Sequence, residues 1–203
     1  VPMEKMKTLG DGTPISYTIN VRGRLIDLGE PLVMGIMNVT PDSFYANSRV
    51  QTAEAIRQRA HQIVAEGAKI IDIGACSTRP GGVVVSAEEE MQRLAFALPI
   101  VKEAEPDAIL SIDTFHADIA RRTIEEFGAD IINDVEEGKD PEMFRTVAEL
   151  GAPYILMSTA ANLHDMLIYF SREVQELRDL GQKDIILDPG FGFGKDPVAG
   201  NYE

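Results

Sequence analysis

A glycine followed at once by a short β-branched run recurs along this chain, and that recurrence limits the fold more than any other feature. Glu66-Gly67-Ala68 leads into Lys69-Ile70-Ile71-Asp72-Ile73-Gly74, and Phe127-Gly128-Ala129 into Asp130-Ile131-Ile132-Asn133-Asp134. Leu150-Gly151-Ala152 leads into Tyr154-Ile155-Leu156-Met157-Ser158, and Leu180-Gly181 into Ile185-Ile186-Leu187-Asp188. Each glycine falls where a helix end needs a left-handed residue. Each run is almost wholly apolar rather than alternating, as in parallel strands covered on both faces. With the apolar run Leu32 to Met37 and another from Ala108, six strand starts are expected, near Leu32, Lys69, Ala108, Asp130, Tyr154 and Ile185.

Helical patterns fill the gaps. Thr52 to Glu66 places Ala55, Ile56, Ala60, Ile63 and Val64 at helical spacing. Ser86-Ala87-Glu88-Glu89 fits a capping box opening a helix through Val101. Asp140-Pro141 reads as N-cap and first helical residue of another, and Asn162 to Leu180 as a longer amphipathic helix. Strands alternating with helices give an α/β fold with a parallel sheet. Upstream, Ile15 to Val21 and Arg24 to Asp27 join at Arg22-Gly23 as an antiparallel hairpin, suited to plug one end of a barrel. No linker or low-complexity stretch interrupts the chain, so residues 1–203 read as a single domain.

A barrel fits better than a doubly wound sheet. No G-x-G-x-x-G follows the first strand, so a dinucleotide fold lacks its phosphate signature. Instead the strand ends carry polar groups all round: Asn38, Asp72, Asp113, Asn133, Ser158 and Asp188. In a (β/α)8 (TIM) barrel the active site is assembled from the carboxyl ends of many strands. The expectation is therefore such a barrel with an N-terminal β-hairpin. About six of its eight strand–helix units are present, since the sequence stops at Asn201-Tyr202-Glu203, just after the sixth strand.

The bulk numbers bound the partners. The 203 residues, 44% hydrophobic and 26% charged, suit one sizeable globular domain. A formal net charge of −14 disfavours nucleic acid and anionic membrane surfaces. Cys76 is the only cysteine, so no internal disulfide forms, and the expectation is a reducing compartment. No apolar run approaches the roughly 20 residues of a membrane helix, and Val1 to Gly10 lacks a signal-peptide core. The expected location is cytoplasmic. His61, His116 and His164 form no zinc spacing, and His61 and His116 are expected on helix surfaces.

The strand-end residues suggest a ligand. Asp113, Asn133 and Asp188 would face one cavity with two carboxylates and an amide. That set suits a planar heterocycle with an amino-pyrimidine edge, whose N–H donors meet a carboxylate in pairs. Any one of the three could equally cap the next helix; all three together point to a ligand. Ser77-Thr78-Arg79-Pro80-Gly81-Gly82 offers two hydroxyls and an arginine fork for an anion, or an ordinary Pro-Gly turn. In Asp188-Pro189-Gly190-Phe191-Gly192-Phe193-Gly194-Lys195, three glycines surround two aromatics. The glycines allow close backbone approach and the phenylalanines a stacking face, unless the segment is a tight turn with Phe packed inward. Lys195 reads as a solvated lysine, Met157 as core, and Cys76 as a small buried residue beside the site.

Five of these segments together resemble the dihydropteroate synthase family: Asn38-Val39-Thr40-Pro41-Asp42-Ser43-Phe44, Ser77-Thr78-Arg79-Pro80-Gly81, Ser111-Ile112-Asp113-Thr114, Ile132-Asn133-Asp134-Val135 and Asp188 to Lys195. They occur in the family's order and cover essentially the whole chain; the first and last are specific. The resemblance implies a (β/α)8 barrel that condenses a hydroxymethyl-dihydropterin pyrophosphate with p-aminobenzoate, giving dihydropteroate and pyrophosphate. Pyrophosphate departs first, and the arylamine attacks a cation-like pterin methylene. Asp113, Asn133 and Asp188 match pterin-contacting positions, with Met157 beside them. Asn38 matches the position near Mg2+ and pyrophosphate. The loop after Asn38, with Phe44, and the Thr78-Arg79-Pro80 loop match mobile loops that order around p-aminobenzoate. Gly192 and Phe193 match positions near that second substrate, where sulfonamides compete. The assignments the resemblance implies as catalytic are Asn38, Asp113, Asp188 and Arg79; a homodimer is also implied.

The chain departs from the family pattern in three ways. The seventh and eighth strands, with a Ser-Arg-Lys-type segment and a final Arg-x-His, are not in this sequence, and without them no turnover is expected. Met157-Ser158-Thr159 stands where the family has a histidine after the fifth strand, and Phe44-Tyr45-Ala46-Asn47-Ser48 where it usually has Ser-Asp-Gly-Gly. Two other functions compete: a catalytically silent pterin-binding homologue and a pterin-binding methyltransferase domain.

Overall fold

The structure, a computed structural model, describes residues 17–40, 49–76 and 85–193. Phe44, Thr78, Arg79, Pro80 and Lys195 lie outside the described residues. The hairpin consists of β1 (Thr18–Val21) and β2 (Arg24–Asp27). There follow β3 (Met34–Asn38), α1 (Arg49–Ala65), β4 (Ile70–Gly74), α2 (Ala87–Ala104), β5 (Ile109–Asp113) and α3 (Ala117–Glu125). The chain continues through β6 (Ile131–Asp134), α4 (Met143–Leu150), β7 (Tyr154–Met157), α5 (Leu163–Asp179) and β8 (Ile185–Asp188).

Strands β3 to β8 form one six-stranded sheet in sequence order, every neighbouring pair parallel. Each helix returns the chain to the strand next door, the winding of a (β/α)8 barrel. The expected strand starts are all found within two residues. The expected left-handed helix ends are found too: Gly151, at the C-cap of α4, has φ +62°, a conformation any Cβ would strain.

Strand alternation splits the core in two. Ile71, Ile73, Leu110, Ile112, Ile132 and Leu156 face the helices and pack against Leu94, Leu98 and Val101 of α2, Ile119 of α3 and Val147 of α4. The opposite face is the barrel interior, and it changes character along its length. At the amino end Ile70, Ile109, Ile131 and Ile155 meet Ile19 and Val21 of the hairpin. Above them come Asp72 and Ser111, and at the carboxyl end Gly74, Asp113 and Asn133. The hairpin is thus the plug expected, on the amino end. Arg22 locks it there: its guanidinium donates to Gly128 O at 2.7 Å and forks onto the Asp130 carboxylate, 2.8 Å to Oδ2.

Three expectations need correction. The run Leu32 to Met37 reads as a buried strand, yet Ile36 is 61% exposed in β3, which among the described residues is an edge of the sheet. Strand β8, the other edge, exposes Leu187 in the same way. Asp140-Pro141 does not start α4, which begins at Met143 with Glu142 at the N-cap. Asp140 forms a turn instead, accepting from Glu142 N at 3.0 Å, and its other oxygen accepts from Ala117 N at 2.9 Å, at the head of α3. His116 is not a helix-surface residue; it is the half-buried N-cap of α3.

Candidate ligand site at the strand ends

The parallel register brings Asn38, Gly74, Asp113 and Asn133 into one row across β3, β4, β5 and β6. Gly74 is what lets its neighbours close over it. A Cβ there would lie 3.1 Å from Asp113 Oδ2 and 3.3 Å from Asn38 Oδ1. The side chains of Asn38 and Asp113 therefore share the space a larger residue would fill.

Asp113 is the electrostatic centre of the row. Among the described residues no donor reaches its carboxylate, and it is hemmed in by protein. Burial, then the charges of Asp72, Glu90 and Asp134, push its pKa up to about 8. Such a carboxyl is a stored demand for hydrogen-bond donors.

Asn133 lies alongside, 7% exposed. Its Nδ2 donates to Asp72 Oδ2 at 3.0 Å, while its buried Oδ1 has no partner among the described residues. An orphaned buried acceptor costs about 1–3 kcal/mol, which a ligand N–H would offset. Asp72 is also held by Ser111 Oγ, donating to Oδ1 at 2.7 Å. Burial raises the Asp72 pKa and these two bonds oppose the rise. Of the neighbouring carboxyls, Asp72 has two donors and Asp113 has none among the described residues.

Asp188, half-buried at the end of β8, accepts from Gly190 N at 2.8 Å and so shapes the turn that follows. That turn packs tightly: a Cβ on Gly190, at φ +65°, would fall 2.4 Å from Ser158 O and 3.1 Å from Met157 Cγ. Met157 is fully buried beneath it. Phe193 N donates to Gly190 O at 3.1 Å, leaving the Phe191 and Phe193 rings exposed rather than packed inward. Gly192 has φ +84° in this turn.

Ser158, standing where a histidine was expected, is buried and structural. Its N–H donates to Asp188 O at 3.0 Å and its hydroxyl accepts from Ala160 N at 3.2 Å. Asp134, the polar residue next to Asn133, faces the helices instead of the cavity. It accepts from Glu136 N at 2.8 Å and Tyr154 Oη at 2.8 Å. Burial raises its pKa and those bonds counter the rise.

Sequence reasoning missed a second layer behind the row. Glu90, one of three glutamates in the first turn of α2, is fully buried; its Oε2 lies 3.0 Å from His116 Nδ1 and its Oε1 has no partner among the described residues. Arg93, one turn on, donates to Ala75 O at 2.8 Å and so holds the chain just before the Thr78-Arg79-Pro80 segment. The signal was present in the periodicity: Glu90 and Arg93 share the helix face with Leu94 and Ala97, which points inward. Among the described residues no group of three His, Cys, Asp or Glu side chains is placed to hold a metal ion, and no described helix is long and apolar enough to cross a membrane.

With the geometry in place, comparison with known proteins is informative. The family profile described as "Pterin binding enzyme" matches residues 34–202. A dihydropteroate synthase from Streptococcus pyogenes is 40% identical over 182 residues, covering 85% of this chain and 68% of the relative. The fold is similar to that of Xanthomonas albilineans dihydropteroate synthase with 4-aminobenzoic acid, at TM-score 0.77 and 35% identity, covering 92% of this chain and 71% of that one. It is also similar to Yersinia pestis dihydropteroate synthase in a sulfonamide complex, at TM-score 0.76 and 34% identity over 92% of this chain and 72% of the other.

Proposed function

We propose, because this chain belongs to the pterin binding enzyme family, that the row at its strand ends is the pterin site of a dihydropteroate synthase. The reaction is the condensation of 6-hydroxymethyl-7,8-dihydropterin pyrophosphate with p-aminobenzoate. The bond from the pterin methylene to the pyrophosphate oxygen breaks, the arylamine nitrogen bonds to that methylene and loses a proton, and 7,8-dihydropteroate and pyrophosphate leave. One observation carries the reading: two acceptors at adjacent strand ends, Asp113 and Asn133 Oδ1, have no donor among the described residues. An amino-pyrimidine edge brings donors in that arrangement.

The protein's share of the work is positioning and electrostatics. Asp113, Asn133 and Asp188 hold the heterocycle by its N–H groups. Once ionised by those donors, Asp113 stabilises positive charge developing on the pterin methylene. Thr78, Arg79 and Pro80, with Phe44 from the preceding loop, are assigned to p-aminobenzoate, as are Gly192 and the exposed ring of Phe193. Sulfonamides would compete there.

Mg2+ fits what is present. Mg2+ takes oxygen ligands, keeps several waters and is held through substrate phosphates plus one or two protein groups rather than a full protein cage. The Asn38 amide oxygen at the strand end would supply one such ligand, and no larger acidic cluster is required. When bound, the ion would neutralise charge on the pyrophosphate. The further readings of a homodimer and a cytoplasmic location rest on the family alone.

The test is pyrophosphate release on mixing the full chain with both substrates. Release that depends on p-aminobenzoate supports the synthase. Pterin binding without release would make it a binding protein only if a chain extended by the seventh and eighth strands also released none. Competent use of methyl-tetrahydrofolate would make it a methyltransferase domain.

A further inference from the structure

We infer that Asp72 is a positioning residue that fixes which end of the Asn133 amide faces the ligand, and so sets the hydrogen-bonding polarity of the pterin edge. The inference rests on reading the cavity as a pterin site. Asp72 lies on the interior face of β4, two residues below Gly74, and is 4% exposed. Its two oxygens have separate partners: Ser111 Oγ at 2.7 Å on Oδ1 and Asn133 Nδ2 at 3.0 Å on Oδ2. Both Asp72 oxygens accept, one from the Ser111 hydroxyl and one from the Asn133 amide N–H. The NH2 end of the Asn133 amide therefore faces Asp72. The carbonyl end turns away from Asp72, and it is this oxygen that is buried without a partner among the described residues.

A neutral side chain at 72 would lose that discrimination. An amide or alcohol accepts and donates, so Asn133 could flip and meet a ligand N–H with its own NH2. Ser111 complements the device by occupying the other Asp72 oxygen, which leaves a single acceptor for Asn133. Three adjacent strands thus form a relay in which the buried Asp72 carboxyl never touches the ligand but decides what the ligand meets.

The experiment is a swap of the pair, read by calorimetry of 6-hydroxymethylpterin against the full chain. Asp72→Asn lets the amide flip and should weaken binding by about tenfold or more. Asn133→Asp sets two carboxyls against each other and should weaken it comparably. The double variant Asp72→Asn, Asn133→Asp restores one acceptor-only group facing one amide and again presents an oxygen to the cavity. It keeps volume and charge, and should bind within about tenfold of the original chain. Losses that simply add in the double variant would overturn the inference, because a merely structural Asp72 predicts additivity. A chain that binds no pterin before substitution overturns the pterin reading and the inference with it. Should Asp72→Asn not fold, the side-chain NH2 resonances of Asn133 in the unsubstituted chain decide. They should stay in place on adding pterin, and a large shift of both would show that the NH2 rather than the carbonyl meets the ligand.

Discussion

The two ends of the barrel interior are built on opposite terms. At the amino end four isoleucines from β4 to β7 meet the hairpin residues Ile19 and Val21 in an all-apolar layer, locked by Arg22 on Asp130. At the carboxyl end of the same strands, among the described residues, Asp113 has no donor and Asn133 has an unsatisfied oxygen, and Gly74 makes room for Asp113 and Asn38. One end lowers the free energy of the fold and the other raises it. The strands are the same few residues long, so the division is set by side-chain choice within a single strand: Ile109 then Asp113, Ile131 then Asn133. Stability is concentrated where the ligand is not, which allows the ligand end to hold groups that are unsatisfied until it arrives.

The largest expected effects test this division directly. Ile131, fully buried in the amino-end layer, should lose about 2–5 kcal/mol of stability as Ile131→Ala, measured by denaturant unfolding. Pterin affinity of the folded fraction should not change. Asp188→Ala is the mirror experiment. It should reduce pterin affinity by about 1.5–3 kcal/mol, for loss of a charged acceptor, with a smaller change in stability. If Asp188→Ala destabilised the chain and left affinity alone, the turn bond to Gly190 would be its whole role. Gly74→Ala is subtler. The added methyl meets Asp113 and Asn38 at 3.1 and 3.3 Å, so calorimetry should show weaker binding while stability moves by about 1 kcal/mol or less.

The two ends were not equally readable from sequence. Gly67, Gly128, Gly151 and Gly181 punctuate the chain, and the apolar runs after them gave the strands of the sheet. The hairpin and its place as a plug also followed from local pattern, since a two-residue Arg22-Gly23 turn and alternating Ile19 and Val21 are short-range signals. At the ligand end the polar residues were visible but their partners were not. Asp72 and Asn133 are 61 residues apart and meet only through the register of three strands. Asp134 follows Asn133 directly, and a one-residue step in a strand turns it to the helices, where Tyr154 holds it. Asp140-Pro141 has the local pattern of a helix cap, whereas one Asp140 oxygen serves α3 across a 23-residue gap. Long-range polar pairing is the part of this fold that propensity and periodicity do not encode.

Asp113 gives the smallest effect and the sharpest sign. Its pKa in the fold, about 8, lies far above the ordinary value near 3.9 of an unfolded aspartate. Between those limits the folded chain holds a proton that the unfolded chain has released. The contribution of Asp113 to stability is therefore fully present below pH 4, falls as pH rises through that window, and is flat above about 8. Asp113→Asn removes the ionisation, so the ligand-free variant should be more stable than the parent at pH 8, by roughly 2–4 °C in Tm if about 1 kcal/mol is recovered. Pterin works in the other direction. Its N–H groups favour the ionised carboxyl, so parent affinity should rise with pH up to about 8 and then level, and the variant should bind weakly with no such rise. A variant less stable than the parent at pH 8 would mean that the Asp113 carboxyl is satisfied in the empty site. The carboxyl end would then be as settled as the amino end, and the contrast between them would fail.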